Sequence, residues 1–169
     1  AGYRFPKPLI EVEGRSIISH VIDMFPGDNQ FTFICNNDHL NDPMLGMEAE
    51  LLSLKSDALV VGIDSHKLGP GHAVAQIFDQ IDLTAPLVIN YCDFTCYWDF
   101  DDFVSFTEET QCDGAIPGYR DFHPHSLADN RYAYVKENEG WALDIREKTP
   151  FTDTPMAEFA SSGTYYFKS

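Results

Sequence analysis

Positive charge is scarce in this chain: 11 Lys and Arg residues stand against 27 Asp and Glu, for a formal net charge of −16. A nucleic-acid backbone needs a basic surface, so this balance argues against a nucleic-acid partner. It is no bar to a nucleotide, because a few lysines, a helix N-terminus or Mg²⁺ reverse the field locally. Cysteine is scarce as well. Cys35, Cys92, Cys96 and Cys112 show neither Cys-x-x-Cys spacing nor the density of a disulfide framework. Three of them lie in or beside apolar runs, which reads as buried free thiols in a reducing compartment. No apolar run approaches the roughly 20 residues that span a bilayer, and no signal peptide is present. A cytoplasmic protein without membrane insertion is expected. Internal repeats and low-complexity stretches are missing too.

The chain does carry an alternation of apolar runs and amphipathic segments over 169 residues, enough for one domain with a real core. Ile17, Ile18, Val21, Ile22 and Phe25 predict a helix with Ser16 as N-cap, closed by the turn Pro26-Gly27-Asp28-Asn29. Phe31-Thr32-Phe33-Ile34-Cys35 predicts a strand, with Asn36-Asn37-Asp38 as loop. A helix comes next over 44–54 behind Asp42-Pro43, then a buried strand, Ala58-Leu59-Val60-Val61-Gly62-Ile63. Another helix is predicted from Gly71 through Ile81, then the strand Leu87-Val88-Ile89-Asn90-Tyr91. Asp99 is placed to cap a helix carrying Phe103, Val104 and Phe106, and Ala115-Ile116 is a short strand core. Continuous apolar strands between amphipathic helices indicate a parallel sheet covered on both faces. Beyond Tyr119 the runs alternate, and Asn138-Glu139-Gly140 marks a hairpin between Tyr132-Ala133-Tyr134-Val135-Lys136 and Trp141-Ala142-Leu143-Asp144-Ile145.

Several residues in this frame have chemistry to offer. Lys7 stands between Pro6 and Pro8, a stiff corner that suits an ammonium group meeting phosphate. Asp93 comes after a strand at its carboxyl end, where open α/β sheets bind ligands. With Mg²⁺, a carboxylate there can neutralise and orient a transferring phosphoryl group. A plain loop or capping aspartate fits the residue type equally well. In Leu68-Gly69-Pro70-Gly71-His72, glycines before a helix let backbone approach a ligand, and His72 offers a ring to a base edge. Taken alone, that segment is more simply a turn. Glu147 and Lys148 at a strand end can meet a substrate hydroxyl or phosphate, although charged strand ends are ordinary. Ser161-Ser162-Gly163-Thr164-Tyr165 offers hydroxyls and a glycine for close approach by a sugar-like ligand, or a plain bend. His123-Pro124-His125 lacks a third metal ligand nearby and reads as surface loop. The acids at Asp99, Asp101 and Asp102 suit the first turn of a helix.

The order of these weak signals is more specific than any one of them. Pro6-Lys7-Pro8-Leu9, a Gly-rich turn entering a helix, a strand followed by Asp93, then Glu147-Lys148, then Gly163-Thr164-Tyr165-Tyr166-Phe167 resembles the bacterial sugar-phosphate nucleotidyltransferase family, in its capsule and lipopolysaccharide subgroup. The resemblance covers essentially all of the chain. It implies an α/β, Rossmann-like GT-A-type three-layer sandwich with a mainly parallel sheet and antiparallel strands in the C-terminal part, as one domain over 1–169. It also implies a reaction in which an NTP, CTP or UTP by preference, and a phosphorylated small-molecule acceptor give an NDP-linked product and pyrophosphate, for surface polysaccharide synthesis. By the same resemblance Lys7 would contact phosphate and Asp93 would bind Mg²⁺. Gly69, Gly71 and His72 would line the base pocket, while Glu147, Lys148 and Gly163 would face the acceptor.

The sequence departs from the family pattern in four places. The family's first strand and glycine-rich triphosphate loop do not precede Lys7, Cys92-Asp93 stands for the usual Gly-Asp, Thr149 interrupts Glu-Lys-Pro, and the chain stops at Ser169 before a second metal carboxylate. The expectation is a domain truncated at both ends, weak or inactive by itself, from an active parent. Ala1-Gly2-Tyr3 fits the residues that would come after the missing loop. Two other classes compete. A metal-dependent GT-A glycosyltransferase usually carries Asp-x-Asp after the equivalent strand, where this chain has Asp93-Phe94-Thr95. A non-catalytic nucleotide or sugar-binding domain would lack the triphosphate loop altogether. A homo-oligomer stays open, since no apolar stripe stands apart from the core pattern.

Overall fold

The computed structural model describes residues 5–121 and 132–169. The chain divides into two compact units, Ala1–Ala85 with Thr95–Glu109, and Pro86–Phe94 with Thr110–Ser169.

The first unit opens with a 3₁₀ turn, Lys7–Leu9, and a small hairpin of β1 (Glu11–Val12) and β2 (Arg15–Ser16). Its turn puts Glu13 and Gly14 at φ 53° and 78°, the left-handed pair that two-residue hairpins require. Helix α1 (Ile17–Ile22) comes next. Ser16 holds the N-cap position, but its hydroxyl donates to Glu50 Oε1 at 3.0 Å instead of capping. The apolar stripe continues past the helix, and Met24 and Phe25 are buried in the turns beyond it. Strands β3 (Thr32–Asn36) and β4 (Leu59–Ile63) pair in parallel, Thr32 opposite Leu59 and Asn36 opposite Ile63. A parallel pair needs a crossover, here supplied by α2 (Asn37–Leu40) and α3 (Met47–Leu54). The predicted loop at Asn36-Asn37-Asp38 is thus the start of a helix, because the Asn36 side chain accepts the Asp38 N–H at 2.8 Å. In α3, Met47 and Leu51 lie one turn apart and are both buried.

Helix α4 (Pro70–Ala75) is shorter than its apolar pattern predicts; Ile77 remains in the core from a turn beyond it. Helix α5 (Phe100–Thr110) starts where Asp99 accepts the Asp102 N–H at 3.0 Å, as the sequence leads one to expect. Trp98, just before it, donates its indole N–H to Met24 O at 2.8 Å, and Phe25 meets both Trp98 and Phe100 edge-on.

The second unit holds two antiparallel sheets. In one, β11 (Thr164–Phe167) lies between β5 (Leu87–Asn90) and β6 (Gly114–Ala115) and runs opposite to both. The other has the order β7 (Gly118–Tyr119), β10 (Phe159–Ser161), β8 (Ala133–Asn138), β9 (Trp141–Glu147). Glu139 and Gly140, at φ 50° and 83°, make the predicted hairpin turn between β8 and β9. The architecture is therefore α/β with mixed pairing. Among the described residues, parallel pairing is confined to β3–β4, because the C-terminal strand β11 returns against β5 and β6.

All four cysteines are thiols, but only Cys112 is buried and Cys35 half-buried. Cys92 and Cys96 are exposed, against the expectation, because both fall in the connection after β5 rather than in a strand.

Candidate active site

Strand β5 ends at Asn90, whose side chain ties down the turn beyond it. The Asn90 carboxamide accepts a hydrogen bond from the Thr164 hydroxyl, and its nitrogen donates to Tyr91 O at 2.8 Å and Phe94 O at 3.4 Å. Asp93 sits in this fixed turn with its side chain exposed.

Gly163 faces the same turn. Its φ of 80° lies in the left-handed region, and its carbonyl accepts the Tyr91 N–H at 3.2 Å. The Tyr91 ring covers it so closely that a Cβ at position 163 would stand 2.7 Å from Tyr91 Cδ2. The ring of Tyr165 meets Tyr91 at 6.3 Å between centroids, with the two hydroxyls hydrogen-bonded. Ser161 donates to Tyr165 Oη at 3.1 Å and accepts the Gly163 N–H at 3.1 Å. Burial first, then Tyr165 and the carboxylates of Glu147 and Asp93, push the Tyr91 phenol up to about 12. Asp93, Glu147 and Gly163, distant in sequence, are therefore gathered around one tyrosine. Lys148 comes after Glu147 at φ 57°, with its N–H on Tyr132 O at 3.0 Å and its ammonium 3.4 Å from the Glu147 carboxylate.

The remaining candidates belong to the first unit. Lys7 is exposed and opens the 3₁₀ turn, with Pro6 at its N-cap; Leu9 N–H bonds Pro6 O and Ile10 N–H bonds Lys7 O. Gly69 takes φ 86° to enter α4, whereas Gly71 has ordinary helical geometry, and a Cβ at either would meet nothing within 4 Å. His72 is exposed and meets His66 edge-on at 4.9 Å, while His66 Nδ1 accepts the Leu68 N–H at 3.2 Å.

Tyr91 reads in the sequence as the end of a strand and Asn90 as its interior, so nothing local marks either; the hydroxyls of the 161–165 segment are legible there. His123 and His125 lie outside the described residues, as do Ala1, Gly2 and Tyr3. Among the described residues no three His, Cys, Asp or Glu side chains gather as a metal cluster, and no helix is long and apolar enough to cross a membrane.

An open groove of about 400 Å³ lies elsewhere in the second unit, over Val135. The Arg120 and Arg146 guanidinium groups flank it, stacked on Phe159 at 3.7 Å and Phe151 at 4.2 Å. Both are paired with acids, Arg120 with Glu137 at 3.1 Å and Arg146 with Asp144 at 3.4 Å.

This α/β chain, with its parallel pair and reversed C-terminal strand, is similar in fold to solved structures of nucleotidyltransferases. A Bacillus anthracis structure assigned as a glucose-1-phosphate thymidylyltransferase, in complex with a sucrose, superposes with a TM-score of 0.69 at 15% identity, over 97% of this chain and 63% of that one. A UDP-glucose pyrophosphorylase complexed with UDP-glucose gives 0.68 at 14% identity, over 96% and 68%. The inositol-1-phosphate CTP transferase from T. maritima gives 0.71 at 12% identity, over 96% and 62%. At such identities the likeness is one of fold. The sequence matches no family profile and no curated protein.

Proposed function

We propose that the protein to which this chain belongs transfers a nucleoside monophosphate from an NTP to a phosphorylated small molecule, releasing pyrophosphate, in surface polysaccharide synthesis. The observation that carries the reading is the convergence of Asp93, Glu147 and Gly163 on Tyr91, within a fold shared with nucleotidyltransferases. An oxygen of the acceptor phosphate attacks the α-phosphorus, and pyrophosphate departs with its bonding electrons; no protein nucleophile is needed. Positioning and electrostatics supply most of such catalysis.

In this reading Lys7 meets phosphate, while Gly69, Gly71 and His72 receive the base of CTP or UTP. Glu147 and Lys148 hold the acceptor, while Gly163, buried beneath the Tyr91 ring, bears on it only by seating that ring. Mg²⁺ is commonly bound by one or two carboxylates, with substrate phosphates and water completing its shell. A single exposed carboxylate in a fixed turn fits that requirement, so Asp93 would hold the ion. Bound there, Mg²⁺ would neutralise phosphate charge.

The test is pyrophosphate release by the full-length protein with each of the four NTPs, Mg²⁺ and a panel of sugar phosphates and phosphoamines. Release that needs both substrates and collapses in Asp93→Asn is the expected result. Turnover of an NDP-sugar onto a hydroxyl acceptor instead would make the protein a glycosyltransferase.

A further inference from the structure

The groove over Val135 is a place where this acidic chain turns basic. Arg120, Lys136 and Arg146 line it, three of the chain's 11 Lys and Arg, against Glu137 and Glu158, two of its 27 Asp and Glu. Its free hydrogen-bonding groups are lopsided in the same direction. Both oxygens of both carboxylates are already engaged. Glu137 Oε1 accepts from Arg120 at 3.1 Å and its Oε2 from the Gly140 N–H at 3.0 Å. Glu158 takes the Phe151 N–H on one oxygen, and the Thr152 N–H and hydroxyl on the other. The cations have donors left over. Arg120 gives Glu137 one of the five N–H groups that a guanidinium carries. Arg146 makes one ion pair, 3.4 Å from Nε to Asp144, and Lys136 makes no hydrogen bond or ion pair with any described residue.

Both guanidinium groups rest on rings, Arg120 on Phe159 and Arg146 on Phe151, so their forks have less freedom to lose when a ligand arrives. What such a wall lacks is acceptor oxygens. A carboxylate offers two, in one plane. A phosphate ester offers three and carries nearly two charges at neutral pH, which suits two forks and an ammonium group together. The groove has about 400 Å³, the size of a small-molecule site, and the apolar side chain of Val135 for the rest of an organic ligand. Successive side chains of a strand point to opposite faces, so Arg146 in the groove and its neighbour Glu147 near Tyr91 serve different faces of β9. We propose that this groove is a second ligand site, taking the phosphoryl group of a small organic phosphate, separate from the turn at Tyr91. It does not depend on the nucleotidyl-transfer reading.

Calorimetric titration of the full-length protein with ribose 5-phosphate, inorganic phosphate and succinate tests it, in EDTA so that no divalent metal takes part. Ribose 5-phosphate is expected to bind best. Inorganic phosphate should bind more weakly, because it leaves the floor of the groove uncovered, and succinate least. Lys136→Gln breaks no bond to a described residue, so it should keep the melting temperature. It should weaken ribose 5-phosphate binding about three- to tenfold, the scale of one exposed charge-assisted hydrogen bond. Arg146→Gln should do at least as much, and Arg146→Lys, which keeps the charge without the fork, should do less. Lys148→Gln, at the proposed acceptor site, should leave the affinity unchanged. Binding lost in Lys148→Gln but kept in Lys136→Gln puts the phosphate at the acceptor site and overturns the second site. A preference for succinate overturns it too, as does inorganic phosphate bound as tightly as the ester, or a wild-type protein that binds none of the probes. The expected pattern without pyrophosphate release under transfer conditions would remove the transfer reaction and leave the groove site standing.

Discussion

Gly163 lies beneath the ring of Tyr91, at a distance that leaves no room for a side chain. Its left-handed φ and the covering ring are two separate reasons for glycine at this position. Gly163→Ala is expected to cost about 1–3 kcal/mol through strained backbone and the displaced ring. Urea unfolding measures it. The double variant with Tyr91→Ala should cost less than the sum of the two single changes, because it frees the space and leaves only the backbone term.

A second close approach is in the first unit. A Cβ at Gly62, in β4, would stand 2.0 Å from Asn37 Oδ1, the side chain whose nitrogen donates to Asp64 at 2.8 Å. Gly62→Ala must push Asn37 aside and break that bond, for an expected loss of about 1–3 kcal/mol. Adding Asn37→Ala should recover part of it. If thermal unfolding shows no recovery, the strain lies elsewhere in β4.

Glu158 holds the segment before β10 by accepting the Phe151 N–H at 2.8 Å, and the Thr152 N–H and hydroxyl at 2.7 and 2.6 Å. Burial opposes its charge, yet these bonds and the Arg146 guanidinium together outweigh it and hold the carboxyl below its usual 4.5. A lowered folded pKa contributes stability that is present above the unfolded value and lost as pH falls through the folded one. The stability difference between wild type and Glu158→Gln should therefore be constant near neutrality and shrink only below about pH 4.5. Unfolding midpoints across pH 3–7 (roughly the carboxylate range and above it) provide the check.

Asp93 is exposed in a turn that Asn90 holds. Asp93→Asn should leave the melting temperature nearly unchanged while lowering pyrophosphate release about a hundredfold or more, the scale for removing one electrostatic contributor. Raising Mg²⁺ should restore part of the rate. A variant with full activity would move the metal role to another carboxylate.

Trp98 bridges to Met24 O and packs against Phe25 and Phe100. Trp98→Phe should keep most of the ring contact but leave the Met24 carbonyl without its donor, for a loss of about 1–2 kcal/mol. Chemical denaturation read by circular dichroism is the measure.

The residue pattern by itself determined which segments become strands and helices, since apolar periodicity needs no partner to be read: β3, β4, β5 and α5 fall where it puts them. It determined the Asp99 cap and the Glu139-Gly140 turn for the same reason, because each depends on neighbours within a few residues. The 3₁₀ turn at Lys7 and the left-handed Gly163 likewise belong to local chain chemistry. Helix ends were less legible. Hydrophobic burial continues past α1 and α4 in turns, so apolar spacing overestimates both helices. Only the tertiary structure decided that β11 returns between β5 and β6, and that Ser16 bonds Glu50 rather than its own helix. It alone brought Glu147 near Tyr91 and the Thr164 hydroxyl to Asn90. Those relations join residues far apart in the chain, and their geometry comes from strand register and packing, which no local pattern encodes.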